Sequence, residues 1–294
     1  AELQDEKRRS LKGRPSMLNF STFRREATAF KSLMLLRILS RRAIKYRLTV
    51  CSKLLPNFNS WLNYESGQGR TRLRRSRRRS GSRFKKQYEL IGSKTMLERS
   101  VQVLLDEPRI KELVVVISPA DIIGQRLVFE DPRVRIARVG GQTRADSVKN
   151  GILFSNLKSS DWVLVHDAAR PCLLTSDVTK LMDYCQRHQE SAILAVPVND
   201  TLKKEGENGT IACTVSRDGL WAAQTPQCFP VGELTRAMNE AGSAVTDEAS
   251  AMEFVGKHPA LVEGTPTNIK VTRPMDLWLA RAIFLARKEK ENNE

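Results

Sequence analysis

Apolar positions along this chain follow two periods. In "TMLERSVQVLL", 95–105, Met96, Leu97, Ser100, Val101, Leu104 and Leu105 recur on one face of a 3.6-residue helix, and Pro108 closes it. "ELVVVIS", 112–118, is short, β-branched and apolar without alternation, which predicts a strand covered on both faces. "VRIARV", 134–139, predicts another strand, and "ADSVKNGILFSNL", 145–157, a helix. "WVLV", 162–165, is the next strand. "SDVTKLMDYCQRH", 176–188, opens on a capping residue and sets Val178, Leu181, Met182 and Cys185 at helical spacing. "SAILAVPV", 191–198, returns to strand. No internal repeat is present.

Strands alternating with helices of about a dozen residues are the signature of β-α-β units around a mostly parallel sheet. In such sheets ligands bind at the carboxyl ends of the strands. The loop "HDAARP" follows "WVLV" directly, so Asp167 stands where a metal or polar substrate would lie, with Arg170 three residues on. The bland alternative is an Asp that caps a turn before Pro171. A second cluster, "GGQTRADSVKNG", 140–151, follows a predicted strand. Gly140 and Gly141 permit a tight turn. Arg144, Asp146 and Ser147 then fall at a helix start, which favours an anion, or they merely cap that helix. "TDEAS", 246–250, reads as a structural helix start with Thr246 as N-cap. "NIKVTRP", 268–274, places Lys270 inside a short predicted strand, as an edge residue or a phosphate ligand.

Length and charge change this picture at one end of the chain. The 294 residues suit one large domain or two small ones. The net charge of +16 is confined to the leader: residues 1–88 hold 24 Lys/Arg against 5 Asp/Glu, and the remainder 25 against 28. The leader peaks at "RTRLRRSRRRSGSRFKK", 70–86, a texture of solvated, disordered tails. Its nearby large aromatics, Trp61 and Tyr64, are too few for a base-stacking platform, which argues against nucleic acid as a partner. Five cysteines (51, 172, 185, 213, 228) without a C-x-x-C argue against a disulfide framework or zinc site and suit a reducing compartment. No apolar run is long enough for a membrane helix, and no signal peptide is evident.

The segments "KQYELIG", "GGQTRADSV", "VLVHDAARP", "PVNDTLK", "SRDGLWAAQTPQ", "TDEASAME" and "NIKVTRPMDL" occur in that order. Together they resemble the 2-C-methyl-D-erythritol 4-phosphate cytidylyltransferases over about residues 85–287. The resemblance implies an α/β, Rossmann-like nucleotidyltransferase fold with a protruding β-arm at about 197–219. It implies that CTP and 2-C-methyl-D-erythritol 4-phosphate react to release pyrophosphate, in the cytoplasm and with Mg²⁺. By the same resemblance Lys86 and Arg83 are catalytic and Asp167 is the metal-side carboxylate. Gly81, Gly140, Gly141, Arg144, Asp146, Ser147, Ala168 and Arg170 face the nucleotide. Thr201, Arg217 and Lys270 hold the methylerythritol phosphate, across a homodimer built on the arms. Residues 288–294 are a charged tail.

One segment departs from the family pattern. The family opens with a strand and a loop A-A-G-x-G-x-R-[MF], a four-residue spacer, then P-K-Q-[YF]. "SGSRFKKQY", 80–88, keeps Gly81, Arg83 and Phe84 in register, but Arg79 replaces the first glycine, the spacer is missing, and Lys85 replaces the proline. Residues 1–84 are therefore either a basic extension or the product of a disrupted upstream reading frame. The abrupt change of texture and the first residue, Ala1, favour the latter. Two further function classes remain: a cytidylyltransferase for another polyol phosphate such as ribitol 5-phosphate, and an inactive relative whose basic leader binds nucleic acid.

Overall fold

The computed structural model describes residues 34–38 and 46–52 as backbone, and 86–242 and 245–293 with side chains. Its strands and helices, in chain order, are β1 (Met34–Ile38), β2 (Tyr46–Ser52), β3 (Leu90–Ile91), β4 (Lys94–Thr95), α1 (Met96–Leu105), β5 (Ile110–Ile117), β6 (Val134–Ala137), α2 (Arg144–Phe154), β7 (Trp162–His166) and α3 (Thr175–His188). There follow β8 (Ala192–Pro197), β9 (Leu202–Glu205), β10 (Ile211–Val215), β11 (Trp221–Pro230), α4 (Val231–Ala241), α5 (Glu248–Phe254), β12 (Ala260–Glu263) and α6 (Pro274–Asn293).

The unbroken apolar run of β5 is explained by its two covered faces. Leu113, Val115 and Ile117 join Leu97, Val101 and Leu104 of α1 and Leu181 and Met182 of α3 in one layer. Val114 and Val116 join Val148 and Ile152 of α2 and Leu234 and Met238 of α4 in the other. Side chains two apart share a face, so one strand anchors both layers. Each such side chain contributes about 1.5–3 kcal/mol by leaving water. The predicted face of α1 is the buried one: Met96, Leu97, Ser100, Val101 and Leu104 all face inward. Thr95 and Glu98 close a reciprocal capping box at its start.

The sheet is mixed. β5 pairs β6 in parallel, and β12 pairs β8 in parallel. β11 runs antiparallel to both β7 and β8. The slot between β5 and β7 is addressed by two segments. β2 pairs both neighbours in parallel, setting Thr49 opposite Val114 and Val165. β1 pairs the same two strands antiparallel, setting Leu35 opposite the same residues.

Several local expectations are corrected. β11 was not among the predicted strands; its sequence lacks β-branched residues apart from Thr225 and carries Pro226 inside, both weak strand signals. α3 begins at Thr175, with Leu174 as an N-cap that makes no side-chain bond, rather than on a capping serine. α5 is capped by Asp247, not Thr246, through a bond from Ser250 N. The predicted strand at 268–274 does not form; Val271 N donates instead to Ala169 O at 2.8 Å, and Pro274 opens α6. The charged residues after Arg287 continue α6 as helix through Asn293. The predicted arm does form, as the antiparallel pair β9 and β10, and every residue of β10 is exposed. Among the described residues no helix is long and apolar enough to cross a membrane.

Candidate active site

The parallel strands β5 and β7 end at one edge of the sheet, and the candidate residues gather there. After β6 the chain returns along this edge, and Gly140 N donates to Ile117 O at 2.9 Å. A Cβ at Gly140 would lie 2.9 Å from that carbonyl oxygen, and one at Gly141 would lie 2.3 Å from Asp146 Cβ. Only glycine permits both approaches. Thr143 then caps α2 with Asp146, each bonding the other's backbone N–H. Ser147 Oγ donates to Thr143 O and accepts from Gly141 N at 3.0 Å. Asp146 and Ser147 therefore stiffen the loop, and its shape is set before any ligand arrives.

Past β7, Asp167 is 1 % exposed yet touches two cations. Arg144 Nε lies 3.2 Å from its Oδ1 and Lys270 Nζ 2.5 Å from its Oδ2. Burial alone would raise this carboxyl's pKa, but Arg144, then Lys270, hold it well below the usual carboxylate range. Its backbone N–H donates to Thr225 Oγ1 at 3.0 Å, and that hydroxyl also meets His166 Nδ1 at 3.0 Å. Burial pushes His166 down to about 3, so it is a neutral structural partner. Arg170 is turned inward, onto the carbonyls of Asn268 at 2.7 Å and Ala223 at 3.0 Å. Ala168 is fully buried, with its carbonyl taking Ser100 Oγ at 3.1 Å.

Lys86 reaches the same edge from a single 3-10 turn, Lys86–Tyr88. Its Nζ donates to Val271 O at 2.5 Å, beside Lys270. Burial, then the Lys270 charge, lower its pKa to about 8. Lys270 thus sits in a loop pinned against the β7 loop rather than in a strand, and its side chain is one-third exposed.

The structure brings together Lys86, Gly140, Gly141, Arg144, Ser147, Asp167, Ala168, Arg170 and Lys270 at this edge. Thr201 and Arg217 stand exposed beside the arm, where the Arg217 guanidinium donates to Asn199 O. Among the described residues neither bonds to the Asp167 cluster. Gly81 and Arg83 lie outside the described residues. The arrangement adds one residue that the pattern of the sequence did not suggest. Glu248, read as a helix-start acid, is 1 % exposed and accepts both Nη atoms of Arg144 at 2.5 Å. Its only sequence signal is an acid at the first turn of a helix, a place where exposed acids are common.

For a divalent cation, among the described residues no group of three or more His, Cys, Asp or Glu converges. Asp167 meets single donors on its two oxygens, Arg144 Nε and Lys270 Nζ, rather than the fork of an arginine. A single carboxylate suits Mg²⁺, which keeps several waters and takes its other oxygens from substrate phosphates. The cationic Lys270 ammonium at Oδ2 shows that this oxygen accepts a positive charge.

Comparison with known proteins gives a consistent result. The family model described as 2-C-methyl-D-erythritol 4-phosphate cytidylyltransferase (IspD) matches residues 75–286. The Escherichia fergusonii protein of that name is 47 % identical over 222 residues, which span 74 % of this chain and 92 % of the relative. The Vibrio parahaemolyticus protein is 45 % identical over 218 residues, 71 % and 92 % of the two chains. A crystal structure described as 4-diphosphocytidyl-2C-methyl-D-erythritol synthase superposes with a TM-score of 0.63 at 43 % identity, covering 68 % of this chain and 94 % of its own. The Francisella tularensis structure superposes at 0.60 with 33 % identity, covering 68 % and 93 %.

Proposed function

The chain belongs to the 2-C-methyl-D-erythritol 4-phosphate cytidylyltransferase family, and on that premise we propose how its residues divide the work of transferring the cytidylyl group of CTP to 2-C-methyl-D-erythritol 4-phosphate. The reaction class is CTP-dependent nucleotidyl transfer in isoprenoid biosynthesis. A phosphate oxygen of the methylerythritol phosphate attacks the α-phosphorus of CTP, a new P–O bond forms, and pyrophosphate leaves with the electrons of the broken bond. The attacking oxygen is already anionic, so the protein needs no general base. Its work is to align the two phosphates and to neutralise their charge.

One observation carries this assignment. Lys86, Lys270 and Asp167 meet at a single edge, although Lys86 and the Val271 carbonyl it binds are 185 residues apart in the chain. The stiff loop from Gly140 to Ser147 offers backbone N–H groups to the nucleotide, and Lys86 offers its charge to the transferring phosphoryl group. Lys270 sits between the two phosphates and exchanges Asp167 for the methylerythritol phosphate. Asp167 would hold Mg²⁺, which would supply charge neutralisation on the triphosphate oxygens. Ala168, fully buried, anchors the loop after β7 against Ser100 of α1. Arg170 shapes the site from behind through the Asn268 and Ala223 carbonyls.

The same reading assigns Thr201 and Arg217 to the methylerythritol phosphate of a partner subunit. It is supported by the exposure of the arm: Ile211, Val215, Leu220 and Trp221 all leave apolar surface in water, and a lone hairpin is marginal there. A homodimer covers that surface. The place of action is the cytoplasm, as the resemblance implies.

The test is a pyrophosphate-release assay with CTP, Mg²⁺ and either methylerythritol phosphate or ribitol 5-phosphate. Turnover specific to methylerythritol phosphate supports the assignment. Preference for ribitol 5-phosphate would overturn it.

A further inference from the structure

We infer that Glu248 is a positioning residue: by taking the fork of Arg144, it keeps that guanidinium from closing over Asp167 and so leaves Oδ2 of Asp167 available to the cation and phosphates of the reaction. The inference rests on Asp167 being the metal-side carboxylate.

The argument starts from the shape of a guanidinium. Arg144 has five N–H donors on a planar guanidinium and two edges that can hold a carboxylate with two bonds, the Nη1/Nη2 fork and the Nε/Nη side. Glu248 accepts the fork with both oxygens, Nη1 to Oε1 and Nη2 to Oε2, each at 2.5 Å. With the guanidinium held by that fork, Asp167 receives a single bond from it, from Nε to Oδ1 at the longer distance of 3.2 Å. Oδ2 is thereby left to face Lys270. All three side chains are buried, with 6 %, 1 % and 2 % of Arg144, Glu248 and Asp167 exposed. An arginine in such surroundings cannot remain unpaired without large cost. Two carboxylates therefore draw on one guanidinium, and its orientation follows Glu248, which takes two of the three bonds.

Glu248 sets that orientation because it is fixed where it stands. It is the first residue of α5. Asp247 caps that helix through Ser250 N at 3.0 Å and accepts Gln227 Nε2 at 3.0 Å. Gln227 Oε1 in turn accepts Ala249 N at 3.1 Å. The helix start is thus tied to β11 on both sides of Glu248. Arg144 opens α2 directly after the Gly140–Gly141 loop. One acid therefore connects the nucleotide loop, through Arg144, to the carboxylate at the end of β7. It acts through Arg144 and touches no substrate.

A merely structural ion pair makes a different forecast, and the two are separable in the full chain. Mn²⁺ serves as the probe, with its binding in the presence of CTP read by electron paramagnetic resonance. Glu248→Gln frees the fork, which then takes both oxygens of Asp167. Mn²⁺ binding should weaken by about 10- to 100-fold, as for other residues that orient a metal ligand. Arg144→Met combined with Glu248→Gln removes the competing guanidinium, and binding should recover most of that loss. A purely structural pair predicts the reverse order, with the double variant no better than the single. If Glu248→Gln binds Mn²⁺ as the unmodified chain does, or if the double variant is as weak as the single, the inference is overturned. Glu248→Asp serves where the Gln variant does not fold: it keeps the charge but is one methylene short of reaching the fork, so intermediate weakening is expected and unchanged binding would count against the role. Absence of Mn²⁺ binding with CTP in the unmodified chain would instead remove Asp167 from its assigned place, and this inference with it.

Discussion

The Lys270 ammonium lies 2.5 Å from Oδ2 of Asp167, and the carboxylate's other oxygen meets Arg144. The two cations are unlike in one respect. Arg144 is buried and forked to Glu248, whereas one-third of the Lys270 side chain is open to solvent. Lys270 can therefore leave Asp167 at small cost, and Arg144 cannot. The site's fixed charge and its exchangeable charge are assigned by burial.

Asp167→Asn tests the centre of this arrangement. The amide keeps the volume and the Thr225 bond to the backbone but loses the charge that two cations share. We expect kcat/KM to fall by about 100-fold or more, the scale seen when one preorganised charge is removed. Acid stability should change as well. A carboxyl held low in the folded chain contributes stability above its unfolded pKa of about 3.9, and that contribution fades as pH falls below it. The Asn variant should lose this part of the acid-unfolding profile, which circular dichroism against pH reads directly. Near-normal turnover would reduce Asp167 to a turn residue.

Lys86 sets the alkaline limb. Its pKa of about 8 means that the free enzyme loses this positive charge above that pH. The pH profile of kcat/KM should therefore decline above about 8, and Lys86→Arg should move the decline upward. Stability runs the other way. Between about 8 and the ordinary lysine value of 10.5 the unfolded chain holds a proton that the folded site has released, so stability contributed by this group rises with pH across that window. A flat profile to pH 9 would remove Lys86 from the charge-bearing role.

Gly140→Ala places a methyl against the Ile117 carbonyl. The backbone must shift to admit it. A stability loss of about 1–3 kcal/mol is expected from the forced displacement, together with a raised KM for CTP and little change in KM for the methylerythritol phosphate. Denaturant titration and initial rates at varied CTP measure the two effects.

The proposed dimer is tested through the arm. Light scattering should give twice the chain mass. Arg217→Ala should raise KM for methylerythritol phosphate and leave KM for CTP near its original value. A monomer in solution would remove Arg217 and Thr201 from the site.

The leader is expected to limit how fast the chain works. Arg79 stands in place of the first glycine of the family's phosphate loop, and the spacer before Lys86 is missing. Small displacements of catalytic groups cost on the order of 100-fold. The full chain should therefore turn over at least that much more slowly than a version in which residues up to Lys86 are replaced by a strand and an intact A-A-G-x-G-x-R-M…P-K segment. Equal rates would show that the leader supplies the phosphate contacts by other means.

The pattern of the sequence alone determined the layered α/β fold, the buried face of α1, the two-faced burial of β5 and the placing of Gly140, Asp167 and Arg170 on loops at one edge. These are decided by periods of 3.6 and 2 and by local turn chemistry, which act between residues close in the chain. Resemblance to the family, carried by motifs in order, added the reaction and the role of Lys86. Tertiary structure decided what the periods do not encode. β11 is a strand because its neighbours β7 and β8 leave it a place between them, not because its residues favour one. Lys270 lies in a loop because Ala169 O takes the Val271 N–H. Glu248 faces inward because Arg144, 104 residues away in sequence, offers the fork that its buried carboxylate requires. A buried charge is stabilised by whichever partner lies nearest in space, and that distance exists only after the chain has folded.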